Sequence, residues 1–264
     1  MRNCSVRKII IVLYLIHISH TACYASENGL PQLNNSSYKQ GESLLYSLSY
    51  GFIHGGNASI DLGLSDYSDK KVYHAKLVAK TVGLSDKLFR IEDIYESYFD
   101  TNSCLPYKAI RNIKEGNYKD YSEVFFTQKD CTIFSKKSGK IKVPPNILDI
   151  VSSLFYLRNM NIGNFKKDEV ITFITYFGDE VFPFPLRFRG KEIIKAKIGK
   201  IECYRFDPVV EVGRIFESED DMTFWITADK NQIPVKIRME LVVGAVYCDL
   251  IDYKNILHDF QVIK

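Results

Sequence analysis

The strongest constraint on the fold is an alternation of apolar and polar residues with a period of two, which begins after Gly41. In its first two segments the apolar positions are Tyr46, Leu48, Tyr50 and Phe52, followed by Ala58, Ile60, Leu62 and Leu64. Side chains alternate between the two faces of a strand, so each segment predicts a half-buried strand. The connection between them contains Gly55 and Gly56, and this arrangement predicts a hairpin.

The same pattern continues through most of the chain. Further strand-like segments lie at 72–81, 93–100, 105–114, 118–127, 131–135, 170–178, 181–189, 192–198, 201–207 and 233–241. Many short strands, frequent turns and few helical segments favour a mainly β protein, built as an antiparallel sheet that curls toward a barrel. No linker divides the sequence after residue 41, so 41–264 is predicted to form a single β-rich domain.

One segment has helical spacing instead. Pro144 and Pro145 end a strand, Asn146 is a candidate N-cap, and apolar residues then recur every three or four positions as far as Arg158. An amphipathic helix is therefore predicted at about 146–159. An antiparallel sheet with one such helix would pack it against the apolar face of the sheet. A shorter helix is predicted at 84–90.

The N-terminal residues have the order of a secretory signal peptide. Three basic residues precede the apolar run 9–16 and small residues follow it, so cleavage is expected between Ala25 and Ser26. Residues 1–25 would then be removed, and the polar segment 26–40 would form a flexible leader. The apolar run is shorter than the roughly 20 residues that span a bilayer, so no transmembrane span is expected in the mature chain.

A second outcome stays open in the same region. Cys23 follows Thr21 and Ala22, as in the signal of bacterial lipoproteins, but His20 stands where that signal has an aliphatic residue. Cleavage after Ala25 would release the protein into the periplasm, which is the main expectation. Lipidation of Cys23 would instead make it an outer-membrane lipoprotein.

The charge balance excludes one class of partner. The chain has 35 basic and 32 acidic residues, and the segment 1–25 holds three basic residues and no acidic ones, so the mature chain has no net charge. Proteins that bind nucleic acid need a basic patch, and the sequence contains no basic cluster. No nucleic-acid partner is therefore predicted.

The cysteines and histidines predict no metal site. No C-x-x-C occurs, and no cysteine–histidine spacing fits zinc. An exported protein can keep disulfides, and Cys104 and Cys131 are the best-placed pair because both lie near strand ends. Cys203 and Cys248 lie within strand-like segments, where a buried free thiol is expected. Neither a metal nor another cofactor is predicted.

Several short motifs follow one another along the chain. They are Gly41-Glu42, Tyr50-Gly51-Phe52-Ile53, Gly55-Gly56-Asn57-Ala58, Asp93-x-Tyr95-Glu96-Ser97, Leu105-Pro106, the segment 149–158, and Trp225-x-x-x-Asp229-x-x-x-Ile233-Pro234-Val235. In order and spacing they resemble the domain-of-unknown-function 3108 family of exported bacterial proteins, from about Gly41 to about Tyr253. The resemblance implies an open antiparallel β half-barrel (a YmcC-like fold), broadly similar to lipoprotein carriers. It implies no catalytic or binding residues, because the family has no established activity.

The sequence Ile53-His54-Gly55-Gly56 raises the question of catalysis. His-Gly-Gly resembles the start of the oxyanion loop of esterases, whose backbone N–H groups hold a developing negative charge. An esterase also needs a G-x-S-x-G turn and alternating β and α elements, and the sequence has neither. No catalytic residue is predicted, and the glycines are interpreted as a turn or a close strand approach. A carboxylate and a hydroxyl beside His54 in the cavity would favour a hydrolase.

Aromatic residues supply the last signal. The chain has 17 Phe, 17 Tyr and one Trp, which either pack the core of the sheet or line a cavity for an apolar ligand. Candidates for ligand contacts are Phe182, Phe184 and Trp225. The main hypothesis is a non-enzymatic cell-envelope protein that binds a hydrophobic or lipid-like ligand in the half-barrel. An envelope-polymer hydrolase and a scaffolding partner of an envelope complex are the alternatives.

Overall fold

Fourteen strands form one antiparallel sheet in the computed structural model, which describes residues 33–209, 221–241 and 244–263. Eight strands precede the main helix: β1 (Ser43–Tyr50), β2 (Ile53–Tyr67), β3 (Lys70–Thr81), β4 (Glu92–Asp100), β5 (Pro106–Glu115), β6 (Tyr118–Thr127), β7 (Thr132–Ser135) and β8 (Gly139–Lys142). The other six are β9 (Val170–Phe177), β10 (Glu180–Ala196), β11 (Gly199–Pro208), β12 (Met222–Thr227), β13 (Pro234–Leu241) and β14 (Gly244–Lys254). The mainly β fold is confirmed.

The sheet is curled and open. From edge to edge its order is β8-β7-β6-β5-β4-β3-β2-β1-β14-β13-β12-β11-β10-β9. Side chains near the two edges meet although the edge strands do not pair. Asp179, between β9 and β10, accepts hydrogen bonds from Ser135 and Ser138 beside the β7–β8 turn, at 2.9 and 3.0 Å. The predicted half-barrel is therefore confirmed as an incompletely closed barrel.

The main helix, α2 (Ile150–Arg158), packs inside the curled sheet. Its N-cap is Asp149, whose carboxylate accepts the backbone N–H of Ser152, while the Ser152 hydroxyl accepts the N–H of Asp149. The prediction that the helix starts near Asn146 is wrong. Asn146 has a φ of 57°, a left-handed conformation that cannot continue a right-handed helix, so the helix starts four residues later.

The remaining helix and strand predictions hold with local differences. The short helix α1 (Gly83–Leu88) occupies the place predicted at 84–90. The two segments predicted at 181–189 and 192–198 form one long strand, β10, which is interrupted by a bulge at Gly190 with a φ of 105°. The edge strand β8 and the strand β14 are not among the predicted segments.

Most of the core lies on the inner face of the sheet. Buried residues around α2 form one cluster, which includes Leu44, Ile60, Ala75, Phe99, Phe155 and Leu250. A second cluster follows β9 to β12 and includes Phe173, Leu186, Phe206 and Phe224. Trp225 follows Phe224 directly and therefore faces the other way, where it packs with Cys203 and Val235. The interior is thus filled by side chains and the helix.

The strand directions divide the sheet into two ends. Every described connection from an odd-numbered strand to the next even-numbered strand lies at one end, which we call the rim end. It carries the β1–β2 turn and α1, which joins β3 to β4. The opposite end, called the closed end, receives the segment before β1, the β12–β13 connection and the segment after β14.

A buried ion pair holds the closed end together. Arg158, the last residue of α2, donates from both Nη atoms to the carboxylate of Glu42, at 2.6 and 2.9 Å. The two side chains are 0% and 1% exposed. The guanidinium also donates to the backbone carbonyls of Asn231 and Ser37. One side chain therefore joins the helix, the β12–β13 connection and the segment before β1.

The segment 33–40, which belongs to the flexible leader predicted over 26–40, packs into the closed end, and residues 26–32 lie outside the described residues. Tyr38 is 1% exposed, and its ring meets that of Phe155 edge to face with centroids 4.9 Å apart. Its hydroxyl lies 3.0 Å from the Cys104 sulfur. The predicted cleavage site at Ala25 and Ser26, and Cys23, lie outside the described residues.

The predicted disulfide between Cys104 and Cys131 is wrong. Cys104 is free, and its buried thiol contacts the Tyr38 hydroxyl at the closed end, whereas Cys131 is disulfide-bonded, but not to Cys104. Cys203 and Cys248 are free, as predicted. Burial raises the pKa of each of these two thiols to about 12.

The glycine pair does not form the first hairpin turn. That turn is at Gly51 and Phe52, and both Gly55 and Gly56 lie inside β2. The alternative interpretation, a close strand approach, is confirmed for Gly56. A Cβ at Gly56 would lie 2.5 Å from the carbonyl oxygen of Lys80 on β3, so no other residue fits without a shift of the backbone.

Candidate ligand site at the rim end

The rim end exposes a group of large apolar side chains, which we call the apolar rim. Its members are Tyr50, Phe52, Ile53, Leu84, Leu88 and Phe89. Phe52 is 98% exposed, Leu84 72% and Leu88 78%. The alternation predicts Phe52 on the apolar face of a strand, but it stands in a turn and is almost fully exposed. A contiguous patch of exposed apolar side chains often marks a binding surface.

Glycines let the apolar rim cover the neighbouring turns. Phe89 lies over the turn between β5 and β6, where a Cβ on Gly116 would be 2.9 Å from its ring. Tyr50 lies over the start of β14, where a Cβ on Gly244 would be 2.7 Å from its hydroxyl. Both glycines have positive φ, 56° and 123°. Glycine adopts this backbone conformation without strain, and its lack of a Cβ leaves room for the aromatic side chain. The apolar rim therefore extends across several adjacent hairpins.

Basic residues flank the apolar rim. The N–H of Val82 donates to the carbonyl of Gly55 at 3.1 Å, which holds α1 beside the start of β2. Lys80, Lys87 and Arg90 are exposed around α1. No ion pair to any of the three is found within the described ranges. This part of the rim end therefore presents positive charge next to apolar surface.

A small cavity lies between the N-terminal end of α2 and the inner wall of the sheet. It offers about 40 Å³ to water-sized molecules. Its lining includes Tyr95, Arg111, Ser122, Val124, Asp149, Ile150, Tyr176, Phe177 and Asp179. One water needs roughly 10–15 Å³ by this kind of measure, so the cavity holds a few waters and is too small for an acyl chain.

Arg111 is the main charged group of this cavity. It donates to the Asp120 carboxylate at 2.5 Å, and its guanidinium lies 5.6 Å from the centroid of the Phe177 ring. Its Nε is buried without a hydrogen-bond partner among the described residues. Burial opposes the charge of Arg111, but hydrogen bonds with Tyr95 and Asp120 outweigh it and raise the pKa of the guanidinium. The Arg111 guanidinium therefore stays protonated beside the acidic side chains that also line the cavity.

Asp93 lies on the same face of β4, two residues before Tyr95. Burial raises the pKa of Asp93 to about 6, and the neighbouring Glu115 carboxylate adds to that effect. The Asp93 carboxylate accepts the backbone N–H of Lys114 at 3.1 Å. Asp93 therefore changes its charge near neutral pH.

The Asp93-x-Tyr95-Glu96-Ser97 motif also positions the helix. Asp93, Tyr95 and Ser97 share the inner face because they are two residues apart on β4. The Ser97 hydroxyl donates to the Asp149 carboxylate at 2.6 Å, at the N-terminal end of α2. Burial raises the pKa of Asp149, although the donors around it lower that pKa. The motif that carried the family resemblance is therefore chiefly structural.

A wider groove on β10 and β11 is polar and electrostatically satisfied. It is lined by Lys167, Arg189, Gly190, Lys191, Glu192 and Arg205. Arg189 and Arg205 both bind the Asp207 carboxylate, at 2.7 and 3.1 Å, and Lys191 lies 3.3 Å from Glu202. These cations already have acidic partners, so the groove is a weaker candidate for an anionic ligand than its composition suggests.

The aromatic residues proposed as ligand contacts do not form one site. Phe184 packs against the inner cluster, whereas Phe182 is 41% exposed near the β9–β10 turn. Trp225 is 8% exposed on the other face of the sheet, and its indole N–H donates to the Glu192 carboxylate. Of the three, only Phe182 lies near the rim end.

His54 lies on the outer face of the sheet, away from the cavity. Its Nδ1 is 3.0 Å from the Ser47 hydroxyl, which also accepts a hydrogen bond from Lys197 at 3.0 Å. The acid of this group, Asp249, lies 3.9 Å from the Lys197 ammonium and makes no contact with His54 among those described. Ser47 is only 5% exposed. The arrangement therefore lacks the cavity placement that would favour a hydrolase.

Two further features bear on the site. Within 33–209, 221–241 and 244–263, no group of three or more His, Cys, Asp or Glu side chains is arranged to hold a metal ion. The same residues include no helix with the length and apolarity needed to cross a membrane.

These observations define a class of protein: a curled, open antiparallel sheet that encloses one short helix and exposes apolar turns at one end. A family model described as "Protein of unknown function (DUF3108)" matches residues 45–251, most of the chain, and the chain belongs to that family. The family expected from the sequence motifs is thereby confirmed. No curated protein matches the chain.

Two solved structures are similar to this chain over much of its length. A β-barrel-like protein of the domain of unknown function DUF1849 from Brucella abortus has a TM-score of 0.54 at 9% identity, covering 83% of this chain and 99% of that one. A DUF1089 family protein from Pseudomonas aeruginosa has a TM-score of 0.36 at 7% identity, covering 67% of this chain and 87% of that one. The first similarity supports the barrel-like architecture and nothing beyond the fold.

Proposed function

We propose that this protein is an exported, non-enzymatic protein of the cell envelope that engages a lipid-like ligand at its rim end. The observation that carries the proposal is the apolar rim, in which Phe52, Leu84 and Leu88 are each more than two-thirds exposed. Leaving such side chains in water is unfavourable by roughly 1.5–3 kcal/mol each relative to burial. A ligand with an apolar surface would recover that free energy.

The proposal places the ligand at the rim and not in the interior. The inner face of the sheet is filled by the core clusters and α2, and the interior cavity offers only about 40 Å³. An acyl chain inside the barrel would have to displace α2, which is held at one end by Asp149 and at the other by Arg158. The rim requires no such displacement.

Export is part of the proposal and rests on the N-terminal sequence alone. Fractionation of cells that produce the native protein or Cys23→Ser tests the two routes. Release of both forms with the periplasmic fraction supports cleavage between Ala25 and Ser26. Membrane retention of the native form alone supports lipidation, and retention of both forms in the cytoplasm contradicts export.

Ligand engagement is tested with an apolar fluorophore, N-phenyl-1-naphthylamine, added to the purified mature protein. We expect a saturable rise in fluorescence that the double variant Leu84→Ser/Leu88→Ser lowers. The matched control is Phe134→Ser, because Phe134 is 46% exposed on β7, which β6, β5 and β4 separate from the strands that carry the apolar rim. Absence of a fluorescence rise with the native protein, or equal losses in both variants, contradicts the proposal. Mass spectrometry of organic extracts then identifies any lipid that co-purifies.

A further inference from the structure

The apolar rim projects from the end of the sheet, where it can meet a planar surface. Leu84 and Leu88 are four residues apart on α1 and therefore share one side of that helix. Phe52 stands in the adjacent turn, and the Val82–Gly55 hydrogen bond holds the two connections together. Apolar side chains on neighbouring turns at one end of a rigid sheet can enter an interface without any change in the fold.

The charges beside the apolar rim distinguish between occupants. Lys87 and Arg90 are exposed and adjoin Leu88 and Phe89 in the sequence. Lys80 is exposed near the end of β3, shortly before α1. Asp86, the acid of this segment, is hydrogen-bonded to the Thr81 hydroxyl at 2.9 Å. The surface therefore combines apolar groups with cations that form no ion pair among the described residues. Anionic lipid headgroups above an apolar acyl region have the complementary arrangement.

A second copy of the chain fits this surface less well. In a two-fold contact the same patch faces itself, so Lys87 and Arg90 would approach their own counterparts across the interface. Like charges placed together at an interface weaken association, whereas an anionic bilayer would attract them.

We propose that the apolar rim docks on the surface of an anionic phospholipid bilayer, with Phe52, Leu84 and Leu88 inserted at the headgroup boundary and Lys80, Lys87 and Arg90 on the headgroups. The inference rests on the proposed function, because it uses the same rim, and it names the bilayer surface as the lipid-like ligand. Salt screens the attraction between the basic side chains and the anionic headgroups, so binding weakens as ionic strength rises.

The experiment is co-sedimentation of the purified mature protein with vesicles. One set contains phosphatidylcholine alone, and the other contains phosphatidylcholine mixed with phosphatidylglycerol. We expect the native protein to bind the mixed vesicles at least roughly tenfold more tightly, since each basic residue near the surface contributes several-fold in affinity. Lys87→Glu/Arg90→Glu should remove this preference. Phe52→Ser should weaken binding to the mixed vesicles roughly tenfold, and the control Phe134→Ser should not.

Three outcomes overturn the inference. Failure of the native protein to bind the mixed vesicles does so directly, and fluorophore binding then shows whether the proposed function still stands. Equal, rim-dependent binding to both kinds of vesicle rejects the role of the cations and keeps the apolar ligand. A native dimer that Phe52→Ser converts to a monomer shows that a second copy covers the rim. Circular dichroism and urea unfolding confirm that every variant is folded.

Discussion

Removing one charge from the buried ion pair at the closed end should be among the most damaging single changes to this fold. In Glu42→Gln the Arg158 guanidinium keeps its charge, at 0% exposure, but faces a neutral amide in place of two carboxylate oxygens. Breaking a buried pair in this way typically costs about 3–5 kcal/mol. The free energy of unfolding of an ordinary domain is about 5–15 kcal/mol, so the variant loses a large part of its stability.

The assay is urea unfolding of the purified mature protein, followed by tryptophan fluorescence at neutral pH. The matched control is Asp66→Asn, which breaks the Lys71–Asp66 pair. That pair has an N–O distance of 2.7 Å, against 2.6 Å for Arg158–Glu42, but its side chains are 69% and 72% exposed. We expect the control to change the free energy of unfolding by less than about 1 kcal/mol. The two variants differ mainly in burial.

A double replacement separates the pair from its surroundings. Glu42→Leu/Arg158→Met removes both charges. We therefore expect its loss of unfolding free energy to be about 2 kcal/mol smaller than the sum of the losses in Glu42→Leu and Arg158→Met. Some cost remains, because the carbonyls of Asn231 and Ser37 lose the donor that Arg158 provides. The reasoning fails if Glu42→Gln is no more destabilising than Asp66→Asn, or if the two single costs simply add.

Three further predictions follow from single positions. Gly56→Ala should destabilise the protein by about 1–3 kcal/mol, because its Cβ would lie 2.5 Å from a backbone oxygen, whereas Gly63→Ala on the same strand, with 3.9 Å of clearance, should be nearly neutral in urea unfolding. The raised pKa of Asp93, about 6, means that ionisation of this carboxyl destabilises the fold as pH rises from about 4 to 6. Asp93→Asn should therefore be more stable than the native protein at about pH 8 and equally stable at about pH 4. Equal urea-unfolding midpoints of the two proteins at both pH values would contradict this. Ser47 should remain unlabelled by a fluorophosphonate probe, and stoichiometric labelling, read by mass spectrometry, would support the hydrolase alternative.

Local pattern was sufficient to predict the class of fold. The period of two identifies Tyr46 of β1 and Ile60 of β2 as inward, because alternate side chains of a strand share one face. The helix was predicted for a similar reason, since its apolar positions recur at its own period. Its N-terminus was misplaced because Asn146 and Asp149 are both good cap residues, and the choice depends on Ser97, which donates to Asp149 from a distant strand.

Features that depend on long-range pairing could not be predicted. Glu42 and Arg158 each looked like an ordinary charged residue, and 116 positions separate them in the sequence. The aromatic residues illustrate the same limit. Phe184 and Trp225 both suit a strand, but their opposite faces follow from the register between β10, β11 and β12, including the bulge at Gly190.

The candidate site was obscured by the same rule that predicted the fold. Phe52 continues the alternation of β1, so the pattern assigned it to the core, whereas Gly51 has a φ of 56° and turns the chain one residue earlier. The period of two does not distinguish an apolar residue in a turn from one in a strand. The signal that could have distinguished them is the Tyr50-Gly51-Phe52 sequence, in which a glycine directly precedes the exposed residue.

The position of β14 has a consequence for how the protein is made. It is the last strand of the chain, yet it lies in the middle of the sheet between β1 and β13. A chain that emerges N-terminus first can form its early hairpins at once, but β1 and β13 keep unpaired edges until β14 emerges, and such edges favour aggregation. Completion of the sheet therefore waits until β14 has been synthesised or translocated. Truncation before β14 would divide the sheet into two separate parts, β8 to β1 and β13 to β9. Loss of β8 would remove only one edge strand.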